Sequence, residues 1–158
     1  MIGCGDSKIS EHLHDTGLFL VYSCDISPVV ISAMTERYKH TRPAMVWDVA
    51  NALLLDNYSN ESFDLVVDKG MSDTLQFRAQ NKDIKPLLAQ LFNSVYRVLK
   101  KGGRFLIFTP KPRVKRLYDE SKWGRYTKTQ IEVTEKAKLD TERKNRPAFC
   151  YECVKHSD

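Results

Sequence analysis

Gly3, Cys4 and Gly5 form a tight turn, and Asp25 stands 20 residues after Gly5 at the end of an apolar run. Two glycines one residue apart let a backbone approach a ligand closely. A carboxylate about 20 residues on can accept hydrogen bonds from ribose hydroxyls. Together they mark a nucleotide-type ligand bound where an α/β sheet crosses from its first strand into its first helix. Comparable residues follow the other apolar runs: Asp48-Val49, Asp68-Lys69-Gly70 and Thr109. Ligands of open α/β sheets bind beyond the carboxyl ends of the strands, so these positions converge on one site.

The residue types narrow the ligand. A dinucleotide requires a third glycine for close helix packing, and its pyrophosphate rests on a helix N-terminus. The third position here is Lys8, and Asp6 beside the turn repels a pyrophosphate. A phosphate-free ligand fits better, and S-adenosylmethionine has the matching groups. Asp25 can hold its ribose. Asp48 can accept from the adenine amine, the Val49 N–H can donate to a ring nitrogen, and Ile26 can pack on the adenine face. Asp68 and Asp6 can favour the positive amino group. For the reaction itself, Asp68 and Asp73 are candidates to orient an amine acceptor and take its proton, and Lys69 to pair with one of them.

The elements that position these residues read as alternating strands and helices. Residues 8–15 form a helix with Ile9 and Leu13 on one face, ended by Gly17. Residues 18–24 form a strand. Ser27 caps and Pro28 opens a second helix, whose buried stripe is Val30, Ile31, Met34 and Tyr38. Residues 43–48 form a short strand, 57–61 a polar loop, and 63–67 a strand apolar enough to be covered on both faces. Residues 85–99 form the clearest amphipathic helix, with Leu88, Leu91, Phe92, Val95, Val98 and Leu99 facing inward. Lys100-Lys101-Gly102-Gly103 is expected to close it in a left-handed cap. Residues 104–109 form a strand and 110–122 a basic connection. Segments 125–133 and 148–155 are expected to form an antiparallel hairpin at the sheet edge, with Trp123 and Tyr126 as packing residues.

The order is β-α-β-α-β-α-β-α-β followed by two strands. The expected fold is a single α/β domain over 1–158: a doubly wound, Rossmann-like, mostly parallel sheet with a C-terminal antiparallel hairpin. Only two residues precede the glycine loop, so its strand is expected to be truncated, with a lead segment missing.

Composition sets outer bounds. The 158 residues are 42% hydrophobic, with no apolar run long enough to span a membrane. The net charge is +5, unevenly placed: residues 1–99 hold 9 Lys/Arg against 12 Asp/Glu, and residues 100–158 hold 16 against 8. A basic half allows a docking surface for nucleic acid or an acidic protein, or an ordinary solvated surface. Cys150 and Cys153 have CxxC spacing, but strand geometry points them to opposite faces, which argues against a metal site. Reduced cysteines and a cytoplasmic location are expected.

These residues carry a family resemblance. The chain resembles class I, seven-strand S-adenosylmethionine methyltransferases, and more narrowly the elongation factor 1-alpha lysine methyltransferases of the methyltransferase-like group. The likeness rests on Gly-Cys-Gly-Asp-Ser at 3–7, Asp25 to Ile31 with Met34, and Trp47-Asp48-Val49. It continues through Ser62 to Gly70 with Asp73 and Leu75, Arg97-Val98-Leu99 and Gly102 to Phe105. It covers residues 2–109, and Asp-Lys-Gly-x-x-Asp is its most specific element. Met71-Ser72-Asp73 stands where the family usually has Thr-Leu-Asp. The resemblance implies S-adenosylmethionine as cofactor and a protein lysine of a translation elongation factor as acceptor. RNA or small-molecule methylation is the alternative within the fold, and a non-catalytic fragment with the same fold is the alternative outside enzymes. Asp68-Lys69-Gly70 stands where nucleic-acid amino-methyltransferases carry Asn/Asp-Pro-Pro-Tyr/Phe.

Overall fold

The computed structural model describes residues 1–18, 20–78, 83–110, 123–131 and 148–157. Ten elements follow in order: α1 (Ile9–Asp15), β1 (Tyr22–Asp25), α2 (Pro28–Tyr38), β2 (Val46–Val49), β3 (Phe63–Lys69), α3 (Met71–Arg78), α4 (Lys85–Val98), β4 (Leu99–Thr109), β5 (Trp123–Ile131) and β6 (Ala148–Lys155). The expected helix start at Ser27 is present: its Oγ accepts from the Val30 N–H at 3.4 Å, and Pro28 needs no donor there. The stripe of α2 buries Ile31, Met34 and Tyr38. Tyr38 stacks on Trp47 with ring centroids 5.6 Å apart, which ties α2 to β2.

β1 and β2 pair in parallel, as do β3 and β4, while β6 runs antiparallel to both β4 and β5. The two groups meet at Ile2, which bridges Cys24 of β1 and Asp68 of β3. The Ile2 N–H donates to the Val67 carbonyl at 3.0 Å, and the Cys24 N–H donates to the Met1 carbonyl at 2.9 Å. The sheet therefore reads β2-β1-Ile2-β3-β4-β6-β5. One residue holds the place of the expected first strand.

One expectation is borne out and two are corrected. The two C-terminal strands form the expected antiparallel hairpin at the sheet edge, with β5 outermost and β6 between β4 and β5. Along β6 Phe149, Tyr151, Cys153 and Lys155 are all buried, so one face of the strand packs into the core. Lys100 to Gly103 does not cap α4. The helix ends at Val98 with Leu99 already extended, and the four residues bulge out of β4 between the Phe63–Leu99 and Leu65–Arg104 pairs. Finally, the path from β2 to β3 is built of turns, and both α3 and α4 lie between β3 and β4. The basic connection at 111–122 and the loop at 132–147 lie outside the described residues.

The core forms where α4 lies on the sheet. Leu91, Val95 and Val98 are fully buried against Phe105, Ile107 and Tyr151. Phe92 meets Phe105 and Trp123 edge-on at 5.4 and 6.1 Å. Burial of this order contributes about 1.5–3 kcal/mol per large apolar side chain. Lys155 is buried with its charge compensated: its Nζ donates to the Leu99 carbonyl at 2.7 Å and to Glu61 Oε1 at 3.1 Å.

Candidate active site

The site grows from the turn after Ile2. Gly3 and Gly5 both take the left-handed region, with φ of +54° and +52°. An L side chain is strained there, so glycine is required by the backbone path. At Gly3 space forbids a side chain as well, since an added Cβ would lie 2.5 Å from Met71 Cγ. The Cys4 N–H donates to the Cys24 carbonyl at 2.9 Å, which seats the turn on the end of β1. The Asp25 carboxylate then closes the loop: Oδ2 accepts from the Gly5 N–H at 2.9 Å and Oδ1 from the Ser27 N–H at 3.0 Å. Each oxygen keeps a lone pair for a ligand hydroxyl.

Above this turn opens a cavity of about 510 Å³, within the range of small-molecule and cofactor sites. Its floor is Gly3 to Ser7 with Asp25 and Ile26. One wall is Ala50 to Leu53, and the other is Lys69, Gly70, Met71, Thr74 and Leu75 at the start of α3. A phosphate-free ligand suits this donor set, because Asp6 and Asp25 both face the cavity. Over Gly5, nothing lies within 4 Å of where a Cβ would be. Ile26 is 63% exposed at the rim of this cavity.

The structure brings together Gly3, Cys4, Gly5, Asp25, Ile26 and Lys69 on this cavity. Asp48, Val49, Asp68 and Asp73 lie outside its lining. Asp48 Oδ2 accepts from the Tyr58 hydroxyl at 2.9 Å, and the Val49 carbonyl accepts from Asn57 Nδ2 at 3.2 Å. Asp73 Oδ1 accepts from Thr109 Oγ1 at 2.8 Å, which joins α3 to the end of β4. The Cys4 thiol is no nucleophile: burial pushes it up to about 12, so it stays protonated at neutral pH.

Asp68 is fully buried. Its Oδ1 accepts from the Met71 N–H at 2.8 Å and its Oδ2 from the Ser72 N–H at 3.1 Å. It thus holds the N-terminus of α3 beside the cavity. Burial pushes its carboxyl up to about 6, against the opposing pull of those N–H donors. Because the folded value lies above the unfolded one near 3.8, the folded chain binds this proton more tightly. Its contribution to stability is full below about pH 4 and is lost as pH rises through about 6, a loss of about 3 kcal/mol. Thermal unfolding between pH 4 and 6.5 should show this fall in the parent and not in Asp68→Asn. Equal slopes in the two proteins would refute it.

Two further residues shape the site, neither of them expected to do so from the sequence alone. Asn51 Oδ1 accepts from the Leu53 N–H at 3.0 Å and turns the chain where it lines the cavity. Arg97 reaches from α4 to hold the loop behind that wall, donating to the carbonyls of Leu54, Leu55 and Tyr58 at 3.2, 2.7 and 2.8 Å. Buried Leu55 is held at a φ of +50° in this loop.

Comparisons with known proteins agree with this geometry. Residues 1–107 match a family described as methyltransferase domain. The chain is 32% identical over 106 residues to the eEF1A lysine and N-terminal methyltransferase homolog of Drosophila melanogaster, covering 67% of this chain and 16% of that protein. It is 34% identical over 115 residues to EEF1A lysine methyltransferase 4 of Mus musculus, covering 69% of this chain and 44% of that protein. The chain thus spans less than half the length of these curated relatives. In fold it is similar to a SAM-dependent methyltransferase structure from Methanosarcina mazei, with a TM-score of 0.68, 16% identity, and 99% and 91% of the two chains covered. With its glycine turn, its Asp25 clasp and its parallel sheet, this chain belongs to the class I S-adenosylmethionine-dependent methyltransferase family.

Proposed function

We propose that the chain binds S-adenosylmethionine over the Gly3–Gly5 turn and methylates a lysine amine of a cytoplasmic protein, with elongation factor 1-alpha as the acceptor. The observation that carries the cofactor reading is the Asp25 carboxylate, fixed by two backbone N–H groups with lone pairs left for a ribose. The acceptor reading is supported by the names of the relatives.

Bound there, S-adenosylmethionine supplies a methyl group on a positively charged sulfur, open to in-line displacement by a neutral amine. The chain's share is placement. Asp25 orients the ribose end, and Ile26 covers the ring. Asp6 faces the cavity as a counter-charge for the amino group. Asp68 acts through α3: it is buried and committed to two N–H groups, so it positions the helix that carries Asp73. Asp73, fixed by Thr109 at the ends of β3 and β4, orients the incoming amine and takes up its proton.

Titration calorimetry with S-adenosylmethionine, followed by tritiated methyl transfer to purified elongation factor 1-alpha and to total RNA, tests both halves. The expected result is cofactor heat at micromolar concentrations and label in protein alone. Label in RNA alone would overturn the acceptor, and the absence of heat at millimolar cofactor would overturn the whole reading.

A further inference from the structure

Lys128 on edge strand β5 holds its Nζ 4.2 Å from the centre of the Phe149 ring and 5.8 Å from that of Tyr151. An ammonium at such distances is drawn to the negative face of the ring. Phe149 is 8% exposed and Tyr151 fully buried, so both rings are fixed walls. Lys128 itself is exposed, on a long and flexible stem.

The location of this contact gives it meaning. Phe149 stands directly opposite Thr109, the last residue of β4. Opposed residues on antiparallel strands share a face and lie about 5 Å apart. The Thr109 hydroxyl donates to Asp73 Oδ1 at 2.8 Å. An aromatic wall, a hydroxyl and a carboxylate therefore share one corner of the sheet. The same corner adjoins α3, whose Met71, Thr74 and Leu75 line the cofactor cavity.

We propose that Phe149, Thr109 and Asp73 form the subsite for an acceptor ammonium, with Lys128 of the chain itself parked over Phe149 as its internal stand-in. The proposal rests on the amine-acceptor reading above. The ring attracts the cation without accepting its proton, and Asp73 is the group that can accept it. Thr109 is a positioning residue that aims Asp73. An arriving lysine displaces Lys128, which swings into solvent.

Nα-acetyl-lysine methyl ester, titrated into the intact chain and followed by its aromatic proton resonances, reads the subsite without any turnover. Lys128→Gln, an exposed substitution, should raise affinity for this probe about fivefold. Phe149→Leu in the Lys128→Gln background should cancel that gain. Thr109→Val should weaken binding about threefold, with recovery in Thr109→Ser. Cofactor affinity by calorimetry should stay within twofold in all variants. An unchanged probe affinity in Lys128→Gln overturns the subsite, whether or not Phe149→Leu folds. Loss of cofactor heat in the parent chain would sink the methyltransferase reading instead, and the probe titration would still judge the subsite.

Discussion

Gly3→Ala is expected to abolish cofactor binding and to destabilise the fold by about 2–5 kcal/mol. A φ of +54° costs an L residue about 1–2 kcal/mol. The added Cβ would also lie 2.5 Å from Met71 Cγ and 2.7 Å from Met71 Cβ. The second of these atoms cannot swing aside without moving α3. Overpacking of this kind costs about 1–3 kcal/mol, a large share of the stability of an ordinary domain. Gly5→Ala provides the control. Its φ is similar at +52°, but nothing lies within 4 Å of the new methyl group. It should therefore show the backbone cost alone. Urea unfolding of both variants measures the difference, and equal midpoints would remove the Met71 contact from the argument.

Asp25→Ala is expected to weaken S-adenosylmethionine binding by about 100-fold or more. The substitution deletes the acceptor for the Gly5 and Ser27 N–H groups as well as the lone pairs that face the cavity. Hydrogen bonds from two ribose hydroxyls to this carboxylate would contribute about 1.5–3 kcal/mol each, so losing both exceeds a hundredfold in affinity. Asp25→Asn should be nearly as damaging, because its amide nitrogen cannot accept from whichever N–H it faces. Calorimetry on variants with unchanged circular dichroism provides the check. A loss of threefold or less would take the ribose contact away from Asp25.

Much of this site was legible before the fold was known, for physical reasons that differ by residue. Gly3, Gly5 and Asp25 are readable because backbone conformation and a charged ligand contact each demand a particular residue type. The helices at 28–38 and 85–98 are readable because burying one face imposes a 3.6-residue period. The wall at Ala50 to Leu53 was not legible. Its shape depends on Arg97, 42 residues beyond Leu55 and reaching its carbonyl from another element. The insertion of β6 beside β4 was hidden for a related reason: alternation shows that a strand is half-buried but does not show which strand lies next to it. Lys100 to Gly103 misled because a glycine after a helix and a glycine in a bulge look alike in sequence.

Ile2 joins the two groups of strands through the backbone, and the shared core joins them again, with Tyr22 of β1 edge-on to Phe63 of β3 at 5.5 Å. The β1-β2 group and the β3-β4-β6-β5 group share Ile2, and the very next residues are the cofactor turn. A ligand resting on Gly3 to Gly5 while touching Asp25 on one group and Lys69 on the other therefore acts as a rivet. Its binding energy adds directly to the cohesion of the sheet. The melting temperature is therefore expected to rise with cofactor concentration.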